Sequence, residues 1–168
     1  SARNSSTNLR VLVFFSRQVL CDLDTPLSCY IKMKKAFPDT PAFLLESVEQ
    51  KERLGRFSII GFEPFLTFKS VEKEVILKGM IEDRFETENP FLVLKEIFKK
   101  FHVSVDGGDI MCHGGAVGYA AYDVVRFFEK IPDLSKKTLD VYDLYLFSTH
   151  ILCQTPISVS CSFSFFND

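Results

Sequence analysis

The sequence predicts an α+β fold: a mostly antiparallel β-sheet with a few helices packed on it. Two observations carry the prediction. Strand-like runs cluster between residues 42 and 79 instead of alternating singly with helices, and two amphipathic segments open with helix-capping residues. The core is phenylalanine-rich, with 18 Phe and no Trp, and Phe buries well without a polar partner. At 168 residues, 46% apolar and 25% charged, the chain suits one globular domain or most of one.

Each element follows from local chemistry. Residues 1 to 10, SARNSSTNLR, read as a flexible terminus, and residues 11 to 20 as a short strand. Thr25 can cap a helix and Pro26 suits its first position. Cys29, Met33 and Phe37 then repeat at four-residue spacing beside Leu27, Tyr30 and Ile31, with lysines in the last turns where the helix dipole favours them. Beyond Pro38 and Pro41 come the strand AFLLES, the charged connection VEQKERLG and a second strand, RFSIIGF. Pro64 restarts the chain, and FLTFKS and EVILKG flank a polar VEK in the pattern of a hairpin. From 89 to 101, Asn89 and Pro90 open a helix with Phe91, Leu94, Phe98 and Phe101 on one face and Lys95, Lys99 and Lys100 on the other. Residues 103 to 113 read as a polar connection, 124 to 130 as a short helix and 144 to 153 as a strand. In ISVSCSFSF (157 to 165) apolar residues alternate with serines, as in a half-buried strand.

Composition narrows the function classes. Twenty basic against 22 acidic residues, interspersed, leave no broad basic field for nucleic acid. The longest apolar runs fall far short of the roughly 18 residues of a membrane span. Five cysteines without a CxxC pair fit a reducing compartment, and a cytoplasmic location is the expectation. His102, His113 and His150 are isolated, so no metal site is expected. Asp106, Asp109, Asp140 and Asp143 read as solvated loop acids. The cluster Gly114-Gly115-Ala116-Val117-Gly118 lacks the Lys-Ser/Thr of a phosphate loop, and its glycines read as places where another backbone comes close. No catalytic residues emerge.

One oddity remains. AFLLESVE (42 to 49) begins apolar on both faces, as a strand covered on both sides does, yet turns into Glu46-Ser47 without a turn residue. Glu46 at a strand end could simply pair with Arg53 or Arg56. The run PAFLLESVE (41 to 49), GRFSIIGFEP (55 to 64) and GGAVGYAAYDVVRFFE (114 to 129) closely resembles the N-terminal portion of anthranilate synthase component I. DLDTPLSCY (22 to 30) is similar to that family's opening helix and YDLYLF (142 to 147) to a later strand. The likeness covers about residues 10 to 148, so residues 11 to 150 are expected to form the family's N-terminal domain and 151 to 168 a divergent terminal strand.

The resemblance implies a site. In that family the LLES segment lines the pocket where L-tryptophan binds as feedback inhibitor, which places Leu45, Glu46 and Ser47 there by position, with Arg56 as the nearby base. An amino acid needs an acceptor for its ammonium, a donor for its carboxylate and an apolar wall, and these residues are of those types. It also implies what lies elsewhere: a chorismate-binding C-terminal half with the Mg²⁺ of the complete enzyme, and a glutamine amidotransferase subunit. The 168 residues alone are expected neither to make anthranilate nor to bind tryptophan tightly, and no cofactor is expected in them. Alternatives are the similar segment of the aminodeoxychorismate synthase large subunit, or a non-enzymatic amino-acid sensor. The Phe-rich strands and residues 114 to 121 are expected to leave apolar surface exposed, which the terminal ISVSCSFSF strand either covers or, by pairing edge to edge with a second copy, turns to self-association.

Overall fold

The computed structural model describes residues 10–20, 23–46, 57–106, 115–132, 140–156 and 160–167. In chain order the elements are β1 (Arg10–Leu20), α1 (Pro26–Ala36), β2 (Ala42–Leu45), β3 (Phe57–Val71), β4 (Glu74–Gly79), β5 (Asp83–Glu86), α2 (Pro90–Lys99), β6 (Phe101–Asp106), β7 (Val117–Ala120), a 3-10 turn (Tyr122–Phe127), β8 (Leu144–Pro156) and β9 (Ser160–Asn167). Few helices and mostly antiparallel strands make this the α+β fold that the sequence predicts. The chain divides into two compact units. One holds Ser1–Pro64, Phe101–Gly115 and Thr149–Asp168, the other Phe65–Lys100 and Ala116–Ser148.

In the first unit β2 pairs antiparallel with the opening of β3, while β9 lies between β1 and β8, antiparallel to both, and β1 pairs parallel with β6. The terminal strand is therefore taken up on both edges by its own chain, and does not present the open edge expected for pairing with a second copy. Helix α1 starts as expected. The Thr25 hydroxyl accepts from the Ser28 N–H at 3.1 Å and Ser28 Oγ accepts from the Thr25 N–H at 2.9 Å, a reciprocal cap. Ser28 Oγ and Lys32 Nζ both donate to the Asp24 carboxylate, and the Lys32 bond first of all holds that carboxyl below its ordinary value. Being depressed, it adds its small surface contribution above the unfolded-state pKa and loses it as pH falls through the folded one. The buried side of α1 sets Cys29 against Ile60, with Tyr30, Met33 and Leu44 packed around them.

In the second unit the strand order is β5-β4-β3-β8-β7. The predicted hairpin is present, with Val71 opposite Glu74. Phe68, Val75, Pro90 and Leu144 are fully buried in this unit, and Phe65, Leu66, Leu77, Ile97 and Phe147 pack in its core. Asn89 Oδ1 caps α2 by accepting from the Phe91 N–H at 2.9 Å, and the Phe91 ring meets Phe127 and Phe128 at 6.3 and 5.0 Å.

Three expectations change. Pro64 does not divide β3, because the preceding Glu63 takes φ 59° and carries the strand on, paired with β2 before that point and β4 after it. Phe101 does not end α2, since the Lys100 N–H closes that helix on the Ile97 carbonyl and Phe101 opens β6 on β1. The polar segment from 103 accordingly contributes strand as far as Asp106; residues 107–114 lie outside the described set. Strand β5, DRFE, has too little apolar pattern to be read from sequence, yet it pairs with Glu74–Leu77 and Arg84 forks onto Glu74 at 2.7 and 2.9 Å.

Ser70 is fully buried, and its hydroxyl has no hydrogen-bond partner among the described residues. An unpaired buried hydroxyl costs about 1–3 kcal/mol. Ser70→Ala is therefore expected to stabilise the chain by about 1 kcal/mol, raising the melting temperature roughly 2–4 °C; a lower melting temperature in thermal denaturation contradicts this.

Candidate functional site

Strand β2 is four residues long and its register with β3 places Ala42, Phe43, Leu44 and Leu45 opposite Phe62, Gly61, Ile60 and Ile59. Successive side chains point to opposite faces. Leu44 turns toward α1 and joins the Cys29–Ile60 cluster. Phe43 turns the other way and lies over Gly61: a Cβ on that glycine would fall inside the ring's Cε1 and Cζ contact distance, and 2.9 Å from Thr149 Oγ1. Both faces are half-buried at this point, as the sequence predicts for the apolar part of the run.

Coverage ends where the polar residues begin. Leu45 is 48% exposed, and Glu46, immediately past the last paired residue, is exposed. Ser47 and Arg56 lie outside the described residues. The structure thus places two of the four expected site residues consecutively at an exposed strand end, an aliphatic side chain followed by a carboxylate. Among the described residues no group of three His, Cys, Asp or Glu could hold a metal ion, so they do not fit the Mg²⁺ that the resemblance implies for the complete enzyme. No helix among them is long and apolar enough to cross a membrane.

Of the glycine cluster, Gly118 behaves as packing chemistry, whereas a Cβ on Gly115 would meet nothing within 4 Å and Gly114 lies outside the described residues. A Cβ on Gly118 would run into the Tyr145 carbonyl and sit 2.8 and 2.9 Å from Tyr145 C and Leu146 Cα, and Gly115 takes φ 132°. Asp143 corrects the sequence reading. It is buried at 7% exposure and is not a solvated loop acid. Its carboxylate accepts from the Glu72 N–H and its own N–H donates to the Ser70 carbonyl at 2.8 Å, so it fastens the β3–β4 turn. The only sequence sign was an acid directly before the apolar run of β8. Sequence reasoning also missed Lys69, whose ammonium lies 4.8 and 5.0 Å from the Tyr142 and Tyr145 ring centres, with Tyr119 stacked on Tyr145.

No family model matches the chain. Curated relatives do. Anthranilate synthase component 1 of Aquifex aeolicus is 36% identical over 152 residues, covering 89% of this chain and 30% of that protein. The proteins of the same name from Acetivibrio thermocellus and Thermus thermophilus are 32% and 35% identical over 80% and 77% of this chain, and 27% of each. The chain spans under a third of the length of these relatives and matches an N-terminal region of them. By this likeness the chain belongs to the anthranilate synthase component 1 family, as a counterpart of its N-terminal region.

Proposed function

We propose that these 168 residues are the N-terminal, regulatory portion of an anthranilate synthase large subunit, acting in tryptophan biosynthesis on the route from chorismate to anthranilate. Leu45, Glu46, Ser47 and Arg56 are this chain's share of an L-tryptophan feedback site. Glu46 accepts the inhibitor's ammonium, Ser47 and Arg56 hold its carboxylate, and Leu45 forms part of the wall against its ring. The chorismate-binding half, with its Mg²⁺, completes both pocket and active centre, and a glutamine amidotransferase subunit supplies ammonia. The observation that carries this reading is the place of Leu45 and Glu46: an exposed aliphatic and an exposed acid together, where a strand otherwise packed on both faces comes to its end.

The test is feedback inhibition of the complete gene product assayed with chorismate and ammonia. A hydrogen bond to a charged group is worth roughly 1.5–3 kcal/mol, so Glu46→Gln is expected to raise the half-inhibitory tryptophan concentration at least about tenfold. Inhibition that Glu46→Gln leaves untouched overturns the assignment.

A further inference from the structure

The site's first two residues hang from a strand of only four, and β2 pairs with one neighbour, β3, among the described strands. Four residues offer few ladder bonds to hold a register, and a slip of one residue turns every side chain to the other face. For this site such a slip is decisive, because it would carry Glu46 from one side of the sheet to the other. Something must hold the register, and the opposing stretch of β3 contains a single position able to do so. Ile59, Ile60, Gly61 and Phe62 face β2, and only Gly61 lacks a side chain.

We infer that Phe43 seated over Gly61 is a register lock that fixes on which side of the sheet Glu46 leaves β2. The inference rests on the tryptophan-site reading and adds the residues that position it. In the observed register the Phe43 ring occupies the space a Cβ of Gly61 would fill, bounded on its far side by Thr149 Oγ1. Shifting β2 by one residue sets Phe43 against Ile60 or Phe62, both buried, Ile60 beneath α1 and Phe62 stacked on Phe37 at 5.8 Å. A shift of two in one direction sets the ring against the β-branched Ile59. Only one alignment lets the ring lie flat on the strand. On the opposite face that alignment also delivers Leu44 to the Cys29–Ile60 cluster, so the two packings agree on one register. Phe43 and Gly61 act here as positioning residues, the contacts to the inhibitor being those proposed for Leu45, Glu46, Ser47 and Arg56.

Two measurements separate the lock from the site. By hydrogen exchange with mass spectrometry on this 168-residue chain, Gly61→Ala is expected to speed amide exchange in the segment 42–46 at least about tenfold, with the 74–86 hairpin segment still protected. Phe43→Leu in the Gly61→Ala background removes the ring atoms nearest the new methyl, leaving the Thr149 hydroxyl at 2.9 Å to shift by a few tenths of an ångström, and is expected to bring exchange back to within about threefold of the parent. If Gly61→Ala does not fold, Phe43→Leu alone decides, through faster exchange confined to 42–46. Unaltered exchange at 42–46, or no recovery in the double variant, overturns the lock. In the complete gene product Gly61→Ala is expected to raise the half-inhibitory tryptophan concentration about tenfold and the double variant to restore it. If Glu46→Gln desensitises the enzyme while Gly61→Ala does not, the positioning claim falls and the site stands. If neither does, the site reading falls and the exchange data alone judge the lock.

Discussion

Gly118→Ala is expected to lower the melting temperature of this chain by roughly 6–12 °C, corresponding to about 3 kcal/mol at 2–4 °C per kcal/mol. Overpacking a well-packed site costs typically about 1–3 kcal/mol when side chains can move aside. Here nothing can. The added methyl would meet the carbonyl group of Tyr145 and the Cα of Leu146, all backbone. Relief requires lifting β7 away from β8, which breaks the Val117–Phe147 to Ala120–Leu144 pairing and parts the Tyr119 and Tyr145 rings, now 6.0 Å apart. Gly115 supplies the internal comparison. It takes φ 132°, but an added Cβ there meets nothing within 4 Å, so alanine costs only the backbone strain, about 1–3 kcal/mol. Differential scanning calorimetry of both variants checks the pair, and a Gly118→Ala melting temperature within about 2 °C of the parent refutes the close-approach account.

That close approach was legible in the sequence as a run of small residues without phosphate-loop spacing, because the alternatives demanded residues that are absent. Helix α1 was legible for a similar reason: Thr25, Pro26 and the Cys29–Met33 spacing are local signals, and the capping and burial of α1 depend on little else. What escaped is what depends on partners distant in sequence. Strand β5 has one apolar residue, Phe85, and becomes a strand only because β4 offers it a ladder. Phe101 fits the apolar face of α2 as well as it fits a strand, and pairing with Arg10 on β1 decides between them. The candidate site divides along the same line. Alternation gave the two covered faces of β2, whereas the roles of Leu45, Glu46, Ser47 and Arg56 came from family likeness, since an acid at a strand end has a mundane salt-bridge explanation of equal local merit.

Asp143 is the acid for which local reading failed, and its removal has the second large expected effect. The Glu72 residue it serves sits at φ 52° in the β3–β4 turn, a conformation that non-glycine residues hold only when their surroundings compensate. The compensation comes from 71 residues further along the chain: the Asp143 carboxylate takes the Glu72 N–H, while the Asp143 N–H holds the Ser70 carbonyl two residues before. Asp143→Ala leaves the backbone bond to Ser70 but strips the acceptor from Glu72. A bond to a charged acceptor is worth about 1.5–3 kcal/mol, so a loss of about 2 kcal/mol is expected in urea denaturation. Asp143→Asn keeps an acceptor oxygen at the same reach and is expected to lose only about 1 kcal/mol. The damage has an address as well as a size. Amide exchange should quicken across Val71–Glu74 in the alanine variant and stay near the parent rate in α1, whose N-terminal cap is the Thr25–Ser28 pair. Equal losses in the two variants, or exchange spread evenly over the chain, would show that Asp143 acts through bulk burial and not as the fastening of that turn.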